Sequence, residues 1–505
     1  MAAGFNIVSL FFHQASKSPK RLAIVDKREQ IDFEDLADEV CMAAAHFLAK
    51  GIKPGDRVLV FVPMSVRLYV KVLALFYIGA TAVFLDEWVN RDRLNVCCKI
   101  ADCKGFIAPW YLRVPAFFLS KEVRRIPIWF SEKKVVGPKA ERSFGIDANT
   151  ETALITFTTG STGTPKAAKR THDFLKAQFD VLQTELDPIE GEVDMPVLPI
   201  VLMLNLGFGV TSVIADWKSS KPTEMDPNRI WQQIERYSVN RLTSSPYFLL
   251  RLSQYVRKSG KNTEVIKKLF TGGAPVFPRE AEQYLLGFPT ARISVVYGST
   301  ESEPISAIDA RLLIAQQAAS VSIGLPVGDV HPKTALRIIS WKDDVIEVDE
   351  QGFVQMELAS GEIGEIVVAG PHVLREYFNN PEALRRNKIF IGEKCWHRTG
   401  DSGFVDALGK LYLTGRCKQL FEENGQLYSP FILENLVRTI LGVRFGTVMK
   451  RDGVVRAYLE VDGEFDAVRF QNVMADRGLN TVEIIEMNSI PRDKRHFSKI
   501  DYDRL

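Results

Sequence analysis

As far as Val296, short unbroken apolar runs alternate with stretches whose apolar positions recur at helical spacing. The run at 56–62 (DRVLVFV) predicts a buried strand. Positions 66–80 predict a helix with Arg67 and Lys71 breaking one face, and 81–85 and 105–108 predict further strands. The pattern resumes at 241–245, 266–270 and 291–296. Strands interleaved with helices predict βαβ units and a parallel sheet. Past Ser320 the texture changes to shorter strands with turns, at 334–339, 345–348, 353–357, 365–369 and 410–414, which read as a smaller β-rich unit. A polar loop at 418–429 then precedes a compact mixed region. The principal boundary is therefore placed near Lys418, dividing the chain into 1–417 and 418–505.

One stretch departs from this rhythm. Residues 195–215 carry no charge, a length that could span a bilayer. Pro196, Pro199, Asn205, Gly207 and Gly209 interrupt it, and broken backbone is poorly tolerated facing lipid. A buried strand–turn–helix that walls an apolar ligand pocket is the expectation, with no transmembrane segment. The 505 residues are 46% hydrophobic and 25% charged, ordinary for a soluble globular protein, and the formal charge of +2 gives no reason to expect nucleic acid as a partner. The six cysteines lack paired spacing and a nearby histidine cluster, so neither zinc nor a disulfide framework is indicated. The amino terminus lacks a basic region followed by an apolar core, and a cytoplasmic location is expected.

The densest chemistry lies in Thr158-Thr159-Gly160-Ser161-Thr162-Gly163-Thr164-Pro165-Lys166, directly after the apolar run 153–157. Five hydroxyls, two glycines and a lysine at a strand's end suit phosphate oxygens: glycine lets backbone approach, consecutive N–H groups cradle an anion, and the lysine adds a point charge. Pro165 stands where a Walker A loop requires glycine, so that motif is excluded. Gly272-Gly273-Ala274-Pro275 is a second glycine-rich turn after a strand, able to let a flat ring lie on backbone. Tyr297-Gly298-Ser299-Thr300-Glu301 places an aromatic face, hydroxyls and a carboxylate on one short loop, a set for stacking, phosphate contact and Mg²⁺ ligation. Asp401, after Gly400 at an expected turn, could cap backbone amides or accept two ribose hydroxyls. The ending 491–499 (PRDKRHFSK) concentrates basic residues.

In this order and spacing, the TTGSTGTPK, YGSTE, TGD and Gly415-Arg416 elements resemble the adenylate-forming superfamily of acyl-CoA synthetases, peptide-synthetase adenylation domains and luciferases, across essentially the whole chain. The resemblance implies an α/β fold: a large N-terminal domain of two α/β subdomains with a small β-barrel-like unit, then a small mobile α+β domain. It also implies ATP and Mg²⁺. Residues 158–164 and Lys166 would hold the β- and γ-phosphates, and Gly273, Ala274, Pro275 and Tyr297 would frame the adenine. Gly298 and Ser299 would belong to the same nucleotide site. Thr300 would touch the α-phosphate, Glu301 would bind Mg²⁺, Asp401 and Arg416 would hold the ribose, Lys499 would be the catalytic lysine, and Lys418 would be the hinge.

The segment ending in 207–214, the run 364–371, the stretch 396–401 and the ending RDKRHFSKID look closest to the branch of fatty-acid–CoA ligase-like proteins and β-lactone synthetases of olefin biosynthesis. The substrate is expected to be an apolar carboxylic acid, since residues 195–213 supply no cation or donor cluster to read a polar one. The acceptor would then be a thiol of CoA or a carrier protein, ranked first as the commoner outcome, or the acid's own β-hydroxyl. Three departures stand out: Ile200–Met203 replaces an aromatic or histidine, Glu422 and Glu423 follow Lys418 where relatives are basic or glycine-rich, and Gly415-Arg416-Cys417-Lys418 lacks a histidine. The acids disfavour the phosphates of CoA, and the missing histidine disfavours the lactone branch. A non-catalytic nucleotide-binding relative is the remaining alternative, against which stand Lys499, Glu301 and Asp401. A monomer or homodimer is expected.

Overall fold

β-Branched and aromatic side chains in the apolar runs form strands, and these assemble into two large sheets. The computed structural model describes residues 5–85, 91–137, 152–159, 165–217, 221–493 and 497–505, with the side chains of 115, 119, 158 and 159 left out. The smaller sheet has six strands, in the order Ile128–Phe130, Gly105–Ile107, Arg57–Val60, Thr81–Phe84, Thr152–Thr159, Pro165–Thr171. All neighbours in it are parallel except the last pair, an antiparallel hairpin in which Thr158 faces Lys166. Residues 160–164 of the phosphate-loop motif lie outside the described residues.

The larger sheet has fourteen strands. Its parallel part runs through Val193–Pro196, Arg241–Ser244, Lys268–Gly272 and Arg292–Ser299, with Thr211–Val213 and Leu22–Val25 beyond the first of these. From Arg292–Ser299 onward it turns antiparallel through Ser302–Asp309, Leu325–Val330, Leu411–Arg416, Lys394–Val405, Gly364–Ala369 and Ala335–Ile339. The strands of the β-rich unit thus extend the same sheet. The whole is the mixed α/β architecture expected.

Three local expectations need correction. Residues 353–357 are not a strand; the helix Glu350–Met356 forms instead, because the Asp349 side chain caps the Gly352 N–H and Phe353 and Met356 bury one turn apart. Residues 345–348 form no strand. Gly400-Asp401 is not at a turn but inside the long strand Lys394–Val405, where Gly400 at φ +69° lies in the break of its register with Gly364–Ala369.

The charge-free segment folds as Val193–Pro196, the helix Pro199–Phe208 and Thr211–Val213. Among the described residues no helix is long and apolar enough to cross a membrane. Its polar residue Asn205 is consumed internally: its amide donates to Asp194 at 2.8 Å and to Ser212 at 3.1 Å, and Arg241, fully buried, binds Glu192 at 2.8 Å and Asp194 at 3.2 Å. Buried charge is tolerated here because it is paired and hydrogen-bonded. Beside Met203 the apolar cavity measures only about 10 Å³, room for one water. All six cysteines are buried, and no two are joined in a disulfide.

Residues 421–482 gather around a hydrophobic cluster of their own that includes Leu433, Val437, Val448, Leu459 and Phe470. Val443–Arg451 and Val454–Val461 pair antiparallel, and Glu483–Glu486 adds in parallel. The helix Pro430–Arg438 joins this unit to the strand Leu411–Arg416. Gly415 lies at φ +134°, and a Cβ there would meet the Pro430 ring at 3.0 Å.

Candidate active site

The two large sheets meet along the segment 373–378. Val373 bridges Ser302 and Tyr377 bridges Ala168, while the backbone N–H groups of Leu374 and Phe378 donate to the carbonyls of Glu301 and Ala167. This short stretch, absent from the motifs above, stitches the strand carrying Lys166 to the hairpin carrying Glu301.

The junction concentrates charge. The Tyr377 hydroxyl donates to Glu301 Oε1 at 3.0 Å. The Tyr377 ring has Lys166 Nζ 5.7 Å and Lys388 Nζ 5.6 Å from its centroid, within cation–π range. Lys166 Nζ also donates to Asn387 Oδ1 at 2.8 Å, and Lys388 Nζ donates to the Leu374 carbonyl. Burial alone would raise the Glu301 carboxyl, yet His397, Lys166, Lys388 and the Tyr377 hydroxyl outweigh it and hold it at about 2. His397 is itself pushed to about 3 by burial and Lys388, so at neutral pH it is uncharged and the two lysines supply the attraction. Burial lowers the Lys388 ammonium to about 8 and pulls Lys166 down as well. A carboxylate kept ionised inside the protein is ready to meet a cation.

Tyr297 and Glu301 do not share a loop. The strand Arg292–Ser299 continues through Tyr297 and pairs Ser299 with Ser302, leaving Thr300 and Glu301 as the hairpin turn. The Thr300 carbonyl accepts Arg170 at 3.0 Å, and Ser299 Oγ accepts the Glu301 N–H at 3.3 Å. The Tyr297 hydroxyl donates to Asp401 Oδ2 at 2.8 Å, and Arg416 Nη1 pairs with Asp401 Oδ1 at 3.0 Å. Burial and the Asp401 charge push the Tyr297 phenol well up. Ionised Asp401 offers about four lone-pair positions, so these two partners leave capacity for a diol. Gly273, at φ +84°, opens the turn to Ala274 and Pro275 at the end of the strand next to Tyr297. At Gly272 a Cβ would stand 2.5 Å from the Val296 carbonyl oxygen, so glycine is required for this approach.

Phe497 and Ser498 dock at the carboxyl ends of these parallel strands. Ser498 Oγ accepts the Tyr247 N–H at 3.2 Å, and the Phe497 and Tyr247 rings meet edge to face at 5.1 Å. Tyr247 follows the strand Arg241–Ser244, two strands from Tyr297. The Lys499 N–H donates to Asp493 Oδ1 at 2.7 Å, closing the turn and leaving Lys499 on its exposed side. Lys418 pairs with Asp343 at 2.9 Å, both about half exposed. The structure thus gathers Lys166, Tyr297, Thr300, Glu301, Asp401 and Arg416, with the Lys499 turn docked at the same strand ends.

Sequence reasoning missed Tyr377, Asn387, Lys388 and His397. A basic residue and a histidine in apolar surroundings near TGD were the only signal. Thr158 and Thr159 are placed by backbone alone, in register with Lys166 and Pro165.

The chain is similar to known proteins along most of its length. The model of the AMP-binding enzyme family matches residues 11–378. An olefin β-lactone synthetase of Xanthomonas campestris pv. campestris is 30% identical, with 92% of this chain and 88% of the relative covered. The Stenotrophomonas maltophilia counterpart is 29% identical, over 94% and 90%. A putative acyl–CoA ligase of Bacillus subtilis, YdaB, is 24% identical over 86% of this chain and 84% of the relative. Among solved structures, O-succinylbenzoate coenzyme A synthetase from Bacillus subtilis with ATP and magnesium ion is 20% identical, with a TM-score of 0.79 over 98% of each chain. The amide bond synthetase McbA from Marinactinospora thermotolerans is also 20% identical, with a TM-score of 0.83 over 99% of this chain and 98% of that one.

Proposed function

Because the chain belongs to the AMP-binding enzyme family, and is an adenylate-forming enzyme, we propose that it activates an apolar β-hydroxy acid with ATP and closes the resulting acyl-adenylate to a β-lactone. The observation that carries the first half is the seating of Phe497 and Ser498 against Tyr247, at the strand ends that also present Tyr297 and Glu301.

Carboxylate and triphosphate repel, and their reaction needs fixed positive charge at the meeting point. In this reading Lys499 reaches one oxygen of each, so the carboxylate oxygen attacks the α-phosphorus in line as pyrophosphate leaves. Lys166 and the glycine-and-hydroxyl loop hold the departing phosphates. Asp401, fixed by Tyr297 and Arg416, accepts the ribose hydroxyls, and Thr300 contacts the α-phosphate. The ionised carboxylate of Glu301 fits a hard divalent cation. Mg²⁺ bound by Glu301 would neutralise charge on the leaving group. In the second half the β-hydroxyl oxygen attacks the acyl carbon, its proton passes to a base, and AMP departs.

Two observations favour ring closure over thioester formation: the relatives 29–30% identical across nearly the full length are β-lactone synthetases, and the hairpin after Lys418 presents Glu422 and Glu423. A second reading, transfer to a thiol such as that of CoA, draws on Lys450, which pairs with Glu423 at 2.9 Å and offsets part of that charge. We assign residues 418–505 to a mobile lid turning at Lys418. Its separate core and the exposed Lys418–Asp343 pair, cheap to break, support this. Such an enzyme would work in the cytoplasm, where ATP is held.

ATP–pyrophosphate exchange with fatty and β-hydroxy acids tests the first half. Lys499→Ala should abolish exchange while ATP binding changes little; lost ATP affinity would mean the lysine has another role. Mass analysis of the product with CoA present then separates lactone from thioester.

A further inference from the structure

The helix Trp110–Leu119 carries an apolar face that no other element covers among the described residues. Its inner side chains Leu112 and Ala116 pack on the cluster around Phe106 and Val123. Its outer side exposes Trp110 at 69%, Tyr111 at 46%, Val114 at 57%, Phe117 at 44% and Phe118 at 73%. At 100° per residue these five fall within about a third of the helix circumference. Single exposed apolar residues are ordinary, but a contiguous aromatic stripe on an anchored helix marks an interaction surface.

Charge decides what meets it. The stripe runs into Lys121, Arg124 and Arg125, all exposed, with the Arg124 guanidinium 5.9 Å from the Phe117 ring centroid and Arg125 paired to Glu122 at 2.9 Å. Residues 91–125 hold eight Lys and Arg against three Asp and Glu, a local charge of +5 within a chain that carries +2 overall. Two copies meeting symmetrically through this face would bring like charge against like, which opposes self-association. Tyrosine and tryptophan beside lysine and arginine are the combination that settles at a lipid–water boundary, rings among the acyl chains and cations among the headgroups. Ten residues span about 15 Å, so the helix lies along the interface and does not cross it.

We propose that the face formed by Trp110–Phe118 and Lys121–Arg125 docks the protein peripherally on an anionic membrane surface. This goes beyond the catalytic reading and stands without it, since none of these residues belongs to the active site. It has a chemical rationale: an apolar acid partitions into the same bilayer.

The test is co-sedimentation of the full-length protein with vesicles of phosphatidylcholine alone, and of phosphatidylcholine and phosphatidylglycerol in equal parts. Binding to the anionic vesicles only, weakened by added salt, is expected. A Trp110→Ser/Phe118→Ser variant should lose binding roughly tenfold or more. Lys121→Gln/Arg124→Gln should lose about fivefold per cation removed, on the anionic vesicles alone. Both variants should keep wild-type thermal unfolding and wild-type exchange with a soluble short-chain acid, which separates this proposal from the catalytic one. No binding of the wild type to anionic vesicles, or variants that bind as the wild type does, would overturn it. So would a Trp110→Ser/Phe118→Ser variant that drops to a smaller oligomer with lipid binding intact, since the stripe would then be a protein interface.

Discussion

Tyr377 holds three charged groups in relation with one side chain: its hydroxyl serves Glu301 and its ring has two ammonium groups within cation–π range. Tyr377→Phe keeps the ring and removes one hydrogen bond to a buried carboxylate, a loss of about 1.5–3 kcal/mol. Pyrophosphate exchange should slow about tenfold or more at saturating ATP, with the fold intact by thermal unfolding; an unchanged rate would mean the hydroxyl does not position Glu301. Glu434 gives a pH prediction. Burial raises its carboxyl to about 7, against Arg438 and the hydroxyls of Tyr502 and Thr447. The folded protein therefore keeps a proton that the unfolded chain releases. The stabilisation this group gives is complete below its ordinary value of 4.5 and is lost as pH rises through about 7. Urea unfolding at pH 5 and pH 8 should show Glu434→Gln relatively more stable at the higher pH, on the order of 1–3 kcal/mol. At this scale the sequence was legible where polar residues stand in short motifs, and the fold brings three of them, Glu301, Asp401 and Arg416, to one place. It was faint where they act through burial: Lys388 and His397 offered only their apolar neighbours as a signal before the fold encloses them.

Elements were legible in proportion to their periodicity. The parallel strands, buried on both faces, read as apolar runs and fell within a few residues of expectation. The helix Glu350–Met356 read as a strand because two turns are too short to establish a period, and its decisive feature is a single capping aspartate. The stitching segment 373–378 has no period at all, since its pairing partners lie far away at Ala168 and Ser302. Its importance can still be tested. Val373→Pro would remove one backbone N–H from the segment beside the Ser302 bridge, and should impair exchange more than Leu408→Pro on an exposed turn, with urea unfolding reporting any shared loss of stability.

Across the whole molecule, the small C-terminal unit is fastened by Arg438. Its guanidinium lies between the Phe277 and Phe445 rings, 4.3 and 4.5 Å from their centroids, and pairs with Glu280 at 2.6 Å. Arg279 reaches back to the carbonyls of Arg438 and Val443 at 2.9 and 3.1 Å. Two cation–π contacts and a partly buried ion pair together amount to a few kcal/mol, small enough to suit the mobile lid proposed above. Arg438→Ala should therefore slow exchange by about tenfold or more and make the chain near residue 418 easier to cut by protease. Unchanged cleavage would show that the fastening lies elsewhere. None of this pairing was visible in the sequence, because it joins residues about 160 positions apart, whose proximity only the assembled sheet creates.

The contact between Gly415 and Pro430 has a consequence of its own. A single methyl group at 415 would press on the proline ring that begins the small unit, in backbone geometry that side chains rarely adopt. The Gly415→Ala protein should fold both halves yet hold them ajar, so that it starves the first reaction without touching any atom that takes part in it.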